Sequence, residues 1–516
     1  MKSKAFYIIT NTFAAALAVG SVILSPWAMA EQKIPKGYNT PIPSSIMTPD
    51  KVKTRIGTLE YFDGVPTEKT AELVLENLVF LRGVEAFLNG VPMASTHALV
   101  EGFKSIGVTE AHHMIVTDKL MDSKPLFLTA NTDTVYAFNS FDLEKTGPLV
   151  IEVPPGTGPG TVNDAFFRFV VDMGAPGPDR GKGGKYLILP PGYEGEEPEG
   201  YFIARSPSYI NLLVLRGFLV DGKPDAAAKM FSEQVKIYPL SEKANPPKMV
   251  ITSGSGISYN TIHANDFSFY EEIADVLHKE PLDFIDLELR GLFASIGLQK
   301  GKEFKPSPEL KKTLTDAVAV ANATARTIIF RTPQEEAYLY ENSYWKVGFI
   351  GGNHEWLKDD GAGGRYLDAR TLFFYAATVN TPAMVLKMVG LGSQYAIITQ
   401  DSDGNILDGA KTYKLNIPVN VPAKDFWSIV VYDPQTRSEL QTSNPFPSIN
   451  SKTGNMIANA NGSIDLYFGP KAPKGKEQNW IETVPEKSWF PILRLYGPLE
   501  PWFDKTWKPG EIELVK

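Results

Sequence analysis

The chain has 516 residues, 43% of them hydrophobic and 21% charged, and carries 51 Lys and Arg against 59 Asp and Glu for a net charge of −8. That is ordinary globular composition, so a sizeable core is expected and disorder is excluded, while the acidic balance speaks against nucleic acid or a polybasic membrane face. No cysteine occurs, which excludes disulfides, thiol catalysis and a lipoprotein anchor and leaves stability to core burial.

Residues 1–30 read as a secretory signal peptide. Lys2 and Lys4 form a basic start, an apolar run extends from Ala5 to Leu24, and Ala28-Met29-Ala30 is a small-residue cleavage site before Glu31. Cleavage leaves a body without an inserted segment, in the periplasm or outside the cell. Residues 31–55, with Pro35, Pro41, Pro43 and Pro49, read as an extended arm that suggests wrapping of a neighbouring copy. At about 150 residues per domain, the remainder makes roughly three domains.

A helical lead-in is expected over 56–125. Thr67 follows Val65-Pro66 as an N-cap, Leu73, Leu78, Leu81 and Leu88 fall on helical spacing, and Gly90-Val91-Pro92 is expected to break the helix. From 126 to 223 the pattern turns to strands: Leu149–Val153, Phe166–Val171, Tyr186–Leu189 and Asn211–Arg216, punctuated by Pro-Pro-Gly turns. A mainly helical bridge covers 224–394. Ser307-Pro308-Glu309 opens its best helix, and Pro382 is expected to kink or restart its last one. Strands return over 395–516, where Tyr395–Thr399 and Tyr413–Ile417 read as a hairpin around Asp403-Gly404-Asn405. The expected fold is α+β, with two jelly-roll-like β-sandwich domains joined by the helical region.

Several separated motifs then appear in order. Phe426–Asp433, Asn461–Pro470 and Trp489–Pro498 resemble the bacterial domain of unknown function 1214. Asn131–Tyr136, Gly147–Pro154 and Gly183–Ile188 resemble its usual N-terminal partner, domain of unknown function 1254. The resemblance implies two β domains bridged by helices in an exported bacterial protein. It supplies no reaction. The positions that match its wording are Asn131, Asp133, Tyr136, Trp427, Arg494 and Tyr496.

Asn131-Thr132-Asp133-Thr134 is the best polar cluster. Extended, it puts Asn131 and Asp133 on one face for hydroxyl binding or acid/base work; as a turn, its Asx side chains cap their own backbone. The Gly-rich loop holding Arg180 and Lys182 could grip a carboxylate or phosphate, or be a solvated hairpin. His354, beside Glu355 in a Gly-rich segment, is a further ligand candidate or a packed surface residue. Trp427 and its aromatic neighbours either stack on sugars or fill the core. No metal spacing, nucleophile elbow or cofactor motif is present among the six His and the Ser-Gly runs. Two functions remain: a ligand- or glycan-binding envelope protein, with Asn131, Tyr136, Arg180, Lys182, His354, Trp427 and Tyr496 as contacts, or a polymer-degrading hydrolase or lyase using Asp133 and Arg494 in an interdomain cleft. Convergence of those two with a second acid in one recess favours the enzyme.

Overall fold

The computed structural model describes residues 37, 40–452 and 454–516. The expected signal peptide and the start of the arm lie outside them. The chain divides into two compact units, one ending at Leu78 and one covering Val79–Lys516. In the first, Lys51–Thr54, at the end of the expected arm, pairs in an antiparallel sheet with Gly57–Phe62 and Val65–Pro66, which fall where a helical lead-in was expected.

The second unit is mixed α+β. A six-stranded sheet runs in the order Val250–Ser253, His113–Val116, Val135–Asp142, Ile210–Gly217, Pro159–Asp164, Phe169–Gly174. Its inner residues Ala137, Val162, Leu213 and Leu215 share one apolar core with Leu149, Ile151, Tyr186 and Ile188 of a four-stranded sheet. Nearer the C-terminus, a five-stranded sheet is ordered Lys346–Val347, Ser393–Ile397, Phe490–Pro498, Ala423–Tyr432, Ser448–Asn450. Trp427, Ile429, Leu493 and Leu495 pack inward from it against Tyr413, Leu415, Leu466 and Phe468 of another four-stranded sheet. The alternation of strands explains the pattern: odd positions of 211–215 face one core and even positions the other side. On that other side, Tyr136, Phe138 and Leu212 join the helices Ser268–Lys279, Pro308–Phe330 and Leu367–Ala376 in a further core. Ser307 Oγ accepts from the Leu310 amide and caps the long helix as its sequence predicts.

Three local expectations are corrected. The helix expected to stop at Gly90 continues unbroken from Glu68 to Ser105 with Pro92 inside it. Proline leaves the carbonyl four residues earlier without its donor; here the Thr371 hydroxyl reaches the Leu88 carbonyl at 3.4 Å. Phe166–Val171 is not one strand. Asp164 Oδ1 accepts from the Phe166 and Arg168 amides, both at 2.8 Å, Phe167 takes a φ of 54°, and the strand begins only at Phe169. Ser393–Ile397 and Tyr413–Ile417 are no hairpin, for they lie in different sheets. The Asp401 carboxylate folds the turn between them by accepting from the Asp403 and Asn405 amides at 3.0 and 2.8 Å. Pro382 restarts the chain as a short helix after Ala376, with the Thr381 hydroxyl as its cap.

Candidate functional site

Each β region turns one outer sheet face toward the other, and the polar residues on those faces come from strand alternation. In the six-stranded sheet Arg216 is the direct cross-strand partner of Tyr136. In the five-stranded sheet Arg494 pairs with Tyr395, and Tyr496 with Ser393. Between these faces opens a cleft with an empty volume of about 1060 Å³, open solvent included. Its walls are mainly apolar: Phe127, Phe138, Val214, Leu372, Phe373 and Ile492 among them. Its polar lining falls into two interacting groups: Arg216, Arg494, Tyr136, Tyr395 and Ser393, and Asp172 with Thr161 and Thr381.

The two polar groups are built differently. Arg494, only 5% exposed, donates through Nη2 to the Thr129 and Ala130 carbonyls and, at 2.8 Å, to the Tyr432 hydroxyl, while its Nε has no partner. Arg216 donates to Ser393 Oγ at 3.2 Å and stands 5.8 Å from the Tyr496 ring. Asp172 accepts from the Thr381 hydroxyl at 2.7 Å, and burial pushes its carboxyl up to about 6. Two β-branched residues on the cleft wall, Thr129 and Val379, hold left-handed backbone with φ of 40° and 67°. Such conformations cost on the order of 1–3 kcal/mol and persist where surrounding structure imposes them, often at ligand sites. Val379→Gly is therefore expected to raise stability by about 1 kcal/mol, read from the urea midpoint; a loss would show that the backbone is not strained.

Asn131-Thr132-Asp133-Thr134 is a turn rather than a strand. Asn131 Oδ1 accepts from the Asp133 amide at 2.9 Å and the Thr134 hydroxyl at 3.1 Å, and Asn131 Nδ2 donates to the Tyr136 hydroxyl. The turn aims Asp133 at the other β region, where Asn450 Nδ2 donates to it at 2.9 Å. Burial raises the Asp133 carboxyl above its ordinary range, against the opposing pull of Ser428, Asn450 and Arg494. The Ser428 hydroxyl favours the charged form, yet neither it nor Asp133 Oδ2 completes a hydrogen bond. Glu439 is 2% exposed with neither oxygen partnered, and burial, then the Asp133 charge, drives it well above the usual carboxylate range. Tyr496 and Tyr259 add buried hydroxyls without partners.

Of the residues expected from the sequence, Asn131, Asp133, Tyr136, Arg494 and Tyr496 come together at this junction. Tyr136 and Arg494 line the cleft; Asp133 is sealed behind it. The others fall elsewhere. Arg180 and Lys182 are exposed on a connection between two different sheets, held by Asp179 accepting from Gly183 N at 3.1 Å and from the Tyr186 hydroxyl. Trp427 is buried in the C-terminal core, and His354 meets the Phe169 ring edge-on at 5.8 Å. Arg216, Tyr395 and Glu439 were missed. Only Arg216 left a signal: a charge in phase with Leu212 and Val214 on an otherwise apolar strand. Among the described residues, no group of three or more His, Cys, Asp or Glu converges as a metal site. Nor is any helix there long and apolar enough to cross a membrane.

Further carboxyls are buried away from the cleft, with a consequence for stability. Burial raises Glu280 from 4.5 to about 7 and Glu272 from 4.5 to about 8, the latter although the Ala264 amide donates to it at 3.0 Å. With Asp172, the folded chain holds protons that the unfolded chain has released, so stability is greatest near the ordinary carboxyl range and falls as pH rises toward these values. His263, lowered from 6.5 to about 3 by burial and then Arg437, opposes this below its ordinary value. Lys346, lowered from 10.5 to about 7 by burial and then Arg331, opposes it above about 7. The melting temperature is expected to drop from about pH 5 to pH 6.5, and less in Glu272→Gln. An equal drop in that variant would remove Glu272 from the account.

Within the compact unit Val79–Lys516, two β regions line one recess, with helical residues Leu372 and Phe373 closing it from another side. Family models match the chain as Protein of unknown function (DUF1254) over residues 112–239 and Protein of unknown function (DUF1214) over residues 392–500. Both domain models thus match within one chain, in that order. It is similar in fold to the VPA0106 protein from Vibrio parahaemolyticus, with 19% identity and a TM-score of 0.51 over 85% of this chain and 100% of that one. An uncharacterized protein from Burkholderia cenocepacia matches at 12% identity over 86% of this chain and 96% of its own, with a TM-score of 0.38. No curated protein matches.

Proposed function

We propose that this is an exported, periplasmic ligand-binding protein of the cell envelope, whose ligand is a small molecule held in the cleft between its two family domains. The observation that carries the reading is the cleft itself: a mostly apolar recess with a few polar groups in its lining, the usual build of a small-molecule site. Held backbone strain at Thr129 and Val379 supports it. The glycan reading has less support, because Trp427, Trp489, Trp502 and Trp507 are spent in the C-terminal core. A pair of jelly-roll-like sandwiches is our reading of the two β regions, supported by the core each pair of sheets shares. Export rests on the leader sequence, and a mature N-terminus at Glu31 in the periplasmic fraction tests it.

Plugging the cleft tests the binding reading. A Cβ at Gly348 would meet only Phe373 Cδ2, at 3.9 Å, so Gly348→Leu fits the backbone and projects into the recess. The variant is expected to melt like the parent while losing the thermal stabilisation given by any ligand found in a small-molecule screen. Ligands that stabilise both alike would place binding outside the cleft.

A hydrolase reading keeps one specific support, the desolvated Asp133 and Glu439 beside Arg494. It ranks second because neither acid lines the cleft. Unchanged turnover in Asp133→Asn on every ester or glycan that the parent cleaves would end it.

A further inference from the structure

Two guanidinium groups from different β regions line one mainly apolar cleft, and neither is held in an ion pair. Among the described residues the arginines in ion pairs are Arg168, with Asp164, and Arg205, with Glu197; Arg216 and Arg494 are not among them. Their hydrogen bonds go to neutral groups: Ser393 Oγ from Arg216, and the Thr129 and Ala130 carbonyls and the Tyr432 hydroxyl from Arg494. Each also lies in the other's field, which is repulsive. Arg494 is 5% exposed, and its Nε is buried without an acceptor. A buried cation is costly unless an anion and hydrogen bonds compensate it; here Arg494 is buried and Arg216, beside the same cleft, is half-buried.

The surrounding groups are donors too. Asn131 Nδ2 donates to the Tyr136 oxygen, which leaves the Tyr136 proton free to point onward. Tyr395 lines the same cleft. The lining carboxylate, Asp172, accepts from the Thr381 hydroxyl and is in no ion pair with either arginine. Asp133 and Glu439 influence Arg494 from behind the sheet but do not line the cleft and make no ion pair with it. The missing component is therefore an anion that arrives from the cleft side. Since the remaining wall is built of Phe, Leu, Val and Ile side chains, the rest of that molecule must be apolar.

We propose that the cleft takes an organic carboxylate with an apolar body, a fatty or aryl-alkyl acid, whose carboxylate sits between Arg216 and Arg494 while its body lies along Phe138, Val214 and Phe373. Planar guanidinium forks suit a carboxylate, which accepts in two places at once. The proposal rests on the cleft being the binding site and adds the class of ligand.

Matched ligands separate the two ideas. The full-length mature protein is titrated by calorimetry with straight-chain acids from hexanoate to hexadecanoate and with phenylbutyrate, each against its alcohol and methyl ester, and with decyl phosphate. The parent is expected to prefer the best acid over its alcohol by about ten- to a hundred-fold, the worth of one or two charge-assisted hydrogen bonds. Arg216→Gln is expected to erase that preference, with the acid losing far more affinity than the alcohol. Arg216 makes one hydrogen bond, to Ser393, so this variant is the one expected to fold; Arg216→Lys should restore part of the preference. Equal binding of acid, alcohol and ester, with Gly348→Leu blocking all three, overturns the carboxylate and leaves the cleft reading standing. Decyl phosphate binding more tightly than every acid also overturns the carboxylate class. No binding by any member, or binding that Gly348→Leu leaves intact, overturns both.

Discussion

Arg494→Leu is expected to lower stability by about 2–4 kcal/mol, the largest loss from any single polar change at the domain junction. The side chain leaves the strand Phe490–Pro498 and ties the loop at Thr129 and Ala130 to the opposite sheet, with Tyr432 as a third partner. Leucine can neither donate to those carbonyls nor let water reach them, and a buried acceptor left unmade costs about 1–3 kcal/mol. Arg494→Lys keeps one donor and the charge, and should lose about half as much. The urea midpoint measures both. Loss of under about 0.5 kcal/mol in the leucine variant would mean that the loop is held by other contacts, and the junction would have to be described again.

Glu439→Leu is expected to move the other way, raising stability by about 1–4 kcal/mol. Glu439 is fully enclosed, its oxygens have no donor, and the Asp133 charge lies close enough to repel a second carboxylate. Replacing a buried, unsatisfied carboxyl by an apolar side chain of similar volume removes a desolvation cost without opening a cavity. The gain should grow as pH rises above the ordinary glutamate range, because the parent must then either hold its proton against solution or bury a charge. A less stable variant would show that these oxygens are satisfied by internal water.

Much of the frame could be read from residues alone because it is written locally. Ser307-Pro308-Glu309 starts a helix by capping chemistry that needs no distant partner. The runs Leu149–Val153 and Tyr413–Ile417 are strands with the bounds their own punctuation marks. What failed was decided at a distance. Pro92 stays helical because Thr371 supplies a donor from far along the chain. The apparent hairpin around Asp403 comes apart because its strands find separate sheets. The site divides in the same way. Asn131, Asp133 and Tyr136 share one turn and strand, so their wording drew attention together. Arg216 and Arg494 lie 278 positions apart in sequence (216 against 494), and only the meeting of two outer sheet faces puts them in one cleft. Glu439 carried no local mark, since its oddity is the absence of a partner, which no sequence displays.

The most direct test is a crystal structure of the mature chain soaked with an acid that carries bromine at the end of its chain. Bromine scatters anomalously, so its place in the molecule is read without interpretation of weak density. We expect the peak among Phe138, Val214, Leu372 and Phe373, with the carboxylate within hydrogen-bonding distance of Arg216 and Arg494. A peak on the exposed Arg180–Lys182 loop, or beside an exposed aromatic face with the cleft left to water, would contradict the account.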